Sequence, residues 1–118
     1  MDKEFPFSRS RKIGDFIFVS GTIGTEPGTG IIAKGDVAAQ TLQALRNIDA
    51  ELRQYGAQLK DAVKTTVFLT DMRYFAAMNE TYREEFAEPL PTRSCISVSA
   101  VPHIDALVEI EVIAYLKE

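Results

Sequence analysis

Pro91-Thr92-Arg93-Ser94-Cys95-Ile96-Ser97-Val98-Ser99-Ala100-Val101, followed after a short turn by Ala106-Leu107-Val108-Glu109-Ile110-Glu111-Val112-Ile113-Ala114, decides how this chain is read. Both stretches have the composition of strands, and side chains alternate across a strand. In the first, Ile96, Val98 and Ala100 share one face and Arg93, Cys95, Ser97 and Ser99 the other. In the second, Ala106, Val108, Ile110, Val112 and Ala114 make an apolar face, and Leu107, Glu109, Glu111, Ile113 and Tyr115 a mixed one. Matching the polar faces puts one guanidinium and two carboxylates on the same side of a sheet. A fixed arginine beside a fixed carboxylate can hold an acidic substrate and orient a water. The same two residues also read as an ordinary cross-strand ion pair of about 0.2–1 kcal/mol. Spacing alone favours the ion pair.

Working outward, Asp71 reads as an N-cap. Phe75, Met78, Tyr82 and Phe86 then mark one face of a helix that ends before Pro89 and Pro91. Before it, Val63-Lys64-Thr65-Thr66-Val67-Phe68-Leu69-Thr70 is β-branched and too short between breakers for a helix, so a central strand is expected. The most regular stretch begins at Asp36, a second N-cap. From there Val37, Thr41, Ala44, Leu45, Ile48, Leu52 and Tyr55 recur at helical spacing until Gly56 supplies the stop. Nearer the start, residues 5–13 with Pro6 suit an edge strand, and Phe16-Ile17-Phe18-Val19-Ser20, closed by Gly21, completes a hairpin. Glu26-Pro27-Gly28-Thr29-Gly30 is a loop, with Ile31 and Ile32 adding a short strand beyond it.

The expected order is β-β-α-β-α-β-β, an α+β arrangement with both helices on one face of a mixed sheet. Two helices cover only that face, which leaves Leu107, Ile113 and Tyr115 uncovered on the other. Another subunit is expected to cover them, placing Arg93 and Glu109 at or near a subunit interface in a site built from two chains.

The 118 residues suit one domain, 1–118, and 46% hydrophobic with 25% charged residues is ordinary for a folded soluble protein. The net charge of −4 leaves no basic surplus for a phosphate backbone, so no nucleic-acid partner is expected. Met1-Asp2-Lys3-Glu4 runs into Phe and Pro without an apolar stretch, so neither a signal peptide nor a membrane span is expected and a cytoplasmic location is. One cysteine, Cys95, and one histidine, His103, furnish neither an internal disulfide nor a structural zinc site, so no metal is expected. His103 itself reads as a solvated loop residue.

Taken together, Phe18-Val19-Ser20-Gly21 with Ile23, Ala39-Gln40-Thr41 with Ala44-Leu45-Asn47-Ile48, Val63 through Met72, Phe75-Ala76 with Asn79, Pro91-Thr92-Arg93-Ser94-Cys95 and the closing Val108 through Ala114 resemble the RidA (YjgF) family of small enamine/imine deaminases. The resemblance covers nearly the whole chain. It implies a chorismate-mutase-like fold assembled as a homotrimer with sites between subunits. It also implies cofactor-free hydrolysis of reactive enamines and imines, such as 2-aminoacrylate, to 2-keto acids and ammonia, a form of metabolite damage control.

Position by position, Arg93 matches the arginine that grips the substrate carboxylate, a task for which lysine lacks the forked geometry. Glu109 matches the glutamate that positions the attacking water, and Cys95 a position whose backbone helps hold substrate. Ser20, Gly21 and Asn79 match cleft-lining positions, Asn79 also being suited to fixing local backbone. Pro6-Phe7-Ser8-Arg9 departs from the Pro-Tyr-Ser-Gln of many active members: Phe7 keeps the ring and loses the hydroxyl, which bears on substrate range. Arg9 is expected in solvent. The competing functions are a pathway-specific deaminase, for instance of 2-aminomuconate, and a non-catalytic ligand-binding or chaperone-like member.

Overall fold

The computed structural model describes residues 5–117; the Met1–Glu4 stretch read above for a leader lies outside them. The elements follow the expected order: β1 (Ser10–Ile13), β2 (Phe16–Ile23), α1 (Val37–Arg53), β3 (Ala62–Leu69), α2 (Phe75–Glu85), β4 (Thr92–Ser97) and β5 (Val108–Tyr115). They make a five-stranded sheet in the order β1-β2-β5-β3-β4, with β3 and β4 parallel and the other neighbours antiparallel.

Helix α1 starts where Asp36 accepts hydrogen bonds from the amides of Ala38 and Ala39, and its exit is marked by Gly56 at φ +84. Asp71 caps a single 3-10 turn, Met72–Tyr74, that leads into α2. Both helices pack on the sheet face formed by Ile17, Val19, Val67, Leu69, Val108, Ile110 and Val112, and Leu45, Ile48, Leu52 and Met78 complete that core. Each such fully buried aliphatic side chain contributes about 1.5–3 kcal/mol.

Several boundaries differ from the sequence reading. Strand β4 ends at Ser97 rather than Val101, and β5 begins at Val108 rather than Ala106. Strand β1 covers only Ser10–Ile13, and Ile32 makes an isolated bridge to Thr25 in place of a short strand. Strand β2 does not stop at Gly21. It continues to Ile23 through a register shift between Val19 and Thr22, so the glycine lies in a bulge and not at a terminus. A Cβ on Gly21 would lie 2.8–3.1 Å from the carboxyl group of Glu109, which is why the bulge takes a residue without one.

The sheet face away from the helices carries Ile13, Phe16, Phe18, Ile96 and Tyr115, all exposed, with Ile113 half-buried among them. Ile113 and Tyr115 lie on that face as expected, Tyr115 exposed, whereas Leu107, half-buried, packs against the core cluster. The Leu107 amide donates to Gln40 Oε1 at 2.8 Å and its carbonyl accepts from the Thr70 amide, so it belongs to the turn that delivers β5.

Candidate active site

Arg93 lies on β4, at the register position of Thr65 on the parallel strand β3. Thr65 is fully buried on the helix side, and parallel partners at one register position share a face. The guanidinium accordingly meets α2. Its Nη1 donates to Asn79 Oδ1 at 2.6 Å, and its carbon stands 4.8 Å from the Tyr82 ring centroid and 5.6 Å from that of Phe75. Phe75, Asn79 and Tyr82 are spaced four and three residues apart, the spacing that puts side chains on one helix face. Beneath them, the Tyr82 and Thr65 hydroxyls are hydrogen-bonded at 2.6 Å in a buried position. Among the described residues no carboxylate pairs with Arg93. Burial raises the Tyr82 phenol above its ordinary value, and the Thr65 hydrogen bond and the Arg93 charge oppose the rise.

Cys95 follows on the same side and packs against the core. Burial pushes its thiol up, with nearby Arg93 pulling the other way. A neutral thiol with that environment is a small apolar group rather than a nucleophile.

Glu109 alternates with the buried Val108 and Ile110, so it occupies the opposite face, beside Ile23 on β2 and Phe68 on β3. The sequence expectation that Arg93, Glu109 and Glu111 share a face is therefore wrong, and with it the cross-strand ion pair. The reason lies in β4, whose residues point the other way from an apolar-inward pattern: Ile96 is 46% exposed on the open face while Arg93 and Cys95 turn inward toward α2. Burial raises the Glu109 carboxyl above the ordinary glutamate value of 4.5, and repulsion from Glu111 adds to it. None of the described residues donates a hydrogen bond to that carboxylate.

The remaining expected site residues gather on the open side with Glu109. Gly21 lies against it, as described above. Ser20 Oγ donates to the Ser8 carbonyl at 2.7 Å and the Ser20 amide to the Arg9 carbonyl at 2.9 Å, tying the segment before β1 to the bulge. Phe7, 53% exposed, stands 5.2 Å from the Phe5 ring and lines a groove of about 690 Å³ together with Ser20, Phe18, Ile113, Lys64 and Glu111. Arg9 is exposed, as expected, and lies over the Phe5 ring at 5.3 Å.

The structure thus brings the expected residues together as two half-sites: Arg93, Asn79 and Cys95 on the helix side, and Glu109, Gly21, Ser20 and Phe7 on the open side. Residues that sequence reading assigned only to packing, Phe75, Tyr82 and Thr65, form the Arg93 surround. A threonine on a core-facing strand position and a tyrosine in a helix stripe, each needing a hydrogen-bond partner when buried, were the available signal.

His103 is half-buried rather than simply solvated. Its Nδ1 accepts from the Asp105 amide at 3.1 Å, which leaves Nε2 to carry the proton and donate to the Gly30 carbonyl at 3.2 Å. It ties two loops together. Among the described residues no three His, Cys, Asp or Glu side chains converge as a metal site needs, and no helix is long and apolar enough to cross a membrane.

Residues 1–116 match the family model described as Endoribonuclease L-PSP. A RutC family protein of Pyrococcus abyssi is 49% identical over 110 residues, 93% of this chain and 86% of the relative. The 2-iminobutanoate/2-iminopropanoate deaminase of Salmonella typhimurium is 40% identical over 112 residues, 92% of this chain and 86% of that enzyme. The crystal structure of E. coli TdcF with bound serine superposes with a TM-score of 0.88 at 37% identity, covering 96% of this chain and 89% of that one. The chain belongs to this family, the YjgF/RidA family, and its two helices on a five-stranded mixed sheet are the family fold.

Proposed function

We propose that this protein hydrolyses 2-imino acids, and the enamines in equilibrium with them, to 2-keto acids and ammonia, in sites formed between the chains of a homotrimer. The observation that carries the reading is the pair of half-sites: a guanidinium anchored on one flank by Asn79 and bordered by two rings, and a carboxylate with a raised pKa, neither the carboxylate partner of the first nor a donor to the second being present among the described residues. Because the two lie on opposite faces of one sheet, only a second chain brings an Arg93 to a Glu109. The open apolar face gives that second chain a reason to bind. Deaminase as the name of one relative and serine as the molecule bound to another agree with a small substrate bearing an α-carboxylate and an α-nitrogen.

In this mechanism the free donors of Arg93 hold the substrate carboxylate in a forked contact. The Asn79 bond sets the guanidinium's angle, and the Cys95 backbone borders the substrate. Glu109, ionised, takes a proton from water as the water oxygen adds to the iminium carbon, forming a carbinolamine. The same carboxyl then returns the proton to the nitrogen, the C–N bond breaks, and the hydroxyl proton leaves with the nitrogen as ammonium. A raised pKa suits Glu109 to both transfers, since it is a better base than an ordinary carboxylate. Gly21 gives the carboxylate room, and Ser20 and Phe7 line the approach. No step calls for a cofactor.

The ribonuclease description of the family model fits this chain less well: the net charge is −4 and the one histidine is engaged on both ring nitrogens. The test is coupled. A serine dehydratase generates 2-aminoacrylate while pyruvate is followed with and without this protein. Faster pyruvate formation is expected, and an unchanged rate overturns the reading. Light scattering checks the assembly, and a monomer at micromolar concentration overturns the shared site.

A further inference from the structure

Carboxylate recognition by Arg93 depends on how its side chain is held, and the hold comes from Asn79, Tyr82 and Phe75 on one face of α2. An arginine side chain loses much rotamer freedom when it is ordered, so a guanidinium that is already oriented binds an anion more tightly than one that must be ordered by it. Asn79 takes one donor on one flank. The guanidinium carbon lies over the Tyr82 ring at 4.8 Å, and that ring, 7% exposed, cannot swing away, because its hydroxyl is locked to the fully buried Thr65 at 2.6 Å. Thr65 sits at the register position of Arg93 on the neighbouring strand, so the lock and the residue it steadies are built on the same rung of the sheet.

From this we infer that Tyr82, pinned by Thr65, is a positioning residue that presents the Arg93 donors to a carboxylate, and that the Thr65–Tyr82 hydroxyl pair therefore sets the protein's preference for anionic over neutral ligands. The inference rests on the carboxylate-binding role of Arg93 proposed above. A phenyl ring in place of Tyr82 keeps the π face and loses the lock; a leucine loses both.

The test uses the full-length protein, with pyruvate and pyruvamide as probes of equal size and different charge. It also uses the side-chain Nε–H resonance of Arg93, assigned by its loss in Arg93→Ala. In the wild type that resonance is expected to be shifted by the Tyr82 ring. Tyr82→Leu should abolish the shift and weaken pyruvate about fivefold while leaving pyruvamide unchanged. Tyr82→Phe, which keeps the ring and loses the lock, should retain part of the shift and weaken pyruvate about twofold, as breaking the lock from the threonine side should. Thr65→Val, nearly isosteric, should broaden or move the resonance and weaken pyruvate about twofold, so it reports on the lock even if the leucine variant does not fold. An Arg93 resonance and pyruvate affinity unaltered in Thr65→Val and Tyr82→Leu overturn the inference, as does equal loss of both probes. The resonance is read without turnover. An unchanged dehydratase-coupled rate beside a ring-shifted Arg93 would thus sink the deaminase reading and leave the positioning role standing.

Discussion

The two half-sites of this protein are opposites in how they treat their charge. On the helix side, Arg93 is surrounded: a hydrogen bond donated to Asn79 on one flank, Tyr82 and Phe75 as walls, and a buried hydroxyl pair behind them. On the open side, Glu109 lies against Gly21 with no donor among the described residues, and its ionised form is disfavoured by burial and then by repulsion from Glu111. The difference matches the tasks proposed for them. A group that only binds gains from being held still, whereas a group that must accept and return a proton gains from an environment that does not satisfy its charge.

The largest effects should come from breaking either half. Arg93→Ala is expected to abolish measurable acceleration and Glu109→Gln to lower it about 10²–10⁴-fold, both with the assembly intact by light scattering. Co-expressing the two inactive chains sharpens the comparison. In the proposed trimer, random assembly of equal amounts of the two chains leaves about a quarter of all interfaces with an intact Arg93 from one chain and an intact Glu109 from the next. Recovery of about that share of activity is expected, and none if each site lies within a single chain.

Next comes the contact that aims Glu109. Gly21→Ala puts a methyl group where the carboxyl now lies, 2.8–3.1 Å from its atoms, and the end of a flexible side chain is what must give way. Stability should therefore change little while kcat falls about 10–100-fold, because a displaced base is costly in a positioned reaction. Thermal melting beside steady-state kinetics separates the two. A large loss of stability with unaltered kcat would make the glycine a packing residue only.

Most of the fold was legible in the residues. Asp36 and Gly56 bracket α1, Asp71 and the paired prolines bracket α2, and β-branched runs mark the strands, because caps and periodicity are local signals. The face of each site residue was not. Alternation sorts a strand into two sets, but which set turns inward depends on what packs there. On β4, an edge strand, the inward set is Arg93 and Cys95, while Ile96 faces out. The inversion makes sense only once Tyr82 and Phe75 are seen to give the guanidinium an aromatic bed, a contact between elements that no local pattern carries. The bulge at Ser20 and Gly21 was hidden similarly: a glycine after an apolar run reads equally as a strand end or a bulge.

A smaller effect is expected at Glu111. It adds to the raised pKa of Glu109, after burial itself, and lines the open-side groove without meeting the Arg93 half-site. Glu111→Gln should cost less than about tenfold in kcat/KM and should move the acidic limb of its pH profile downward, since one repulsion is removed. The sign for stability follows from the same shift. The folded protein binds the Glu109 proton more tightly than the unfolded chain, so its ionisation lowers stability as pH rises from near 4.5 through the raised folded value. Glu109→Gln should consequently be the more heat-stable chain above that window and lose the advantage below it. An acidic limb that stays put in Glu111→Gln would show that the two carboxylates do not communicate.

The smallest change is the most informative about range. Phe7 is mostly exposed, touches Phe5, and lines the groove beside Ser20 and Glu111. Replacing it with tyrosine adds one hydroxyl to an exposed ring, so melting temperature should move by no more than about a degree, as surface substitutions usually do. If Phe7 only packs, rate constants for short and long 2-imino acids will be the same in both proteins. If the ring faces substrate across the interface, the hydroxyl adds a hydrogen-bonding group to the groove wall beside Ser20 and Glu111. The kcat/KM for the short substrate should then rise severalfold while that for a longer, more apolar one stays level or falls, because a polar group in an apolar groove favours the ligand that can satisfy it.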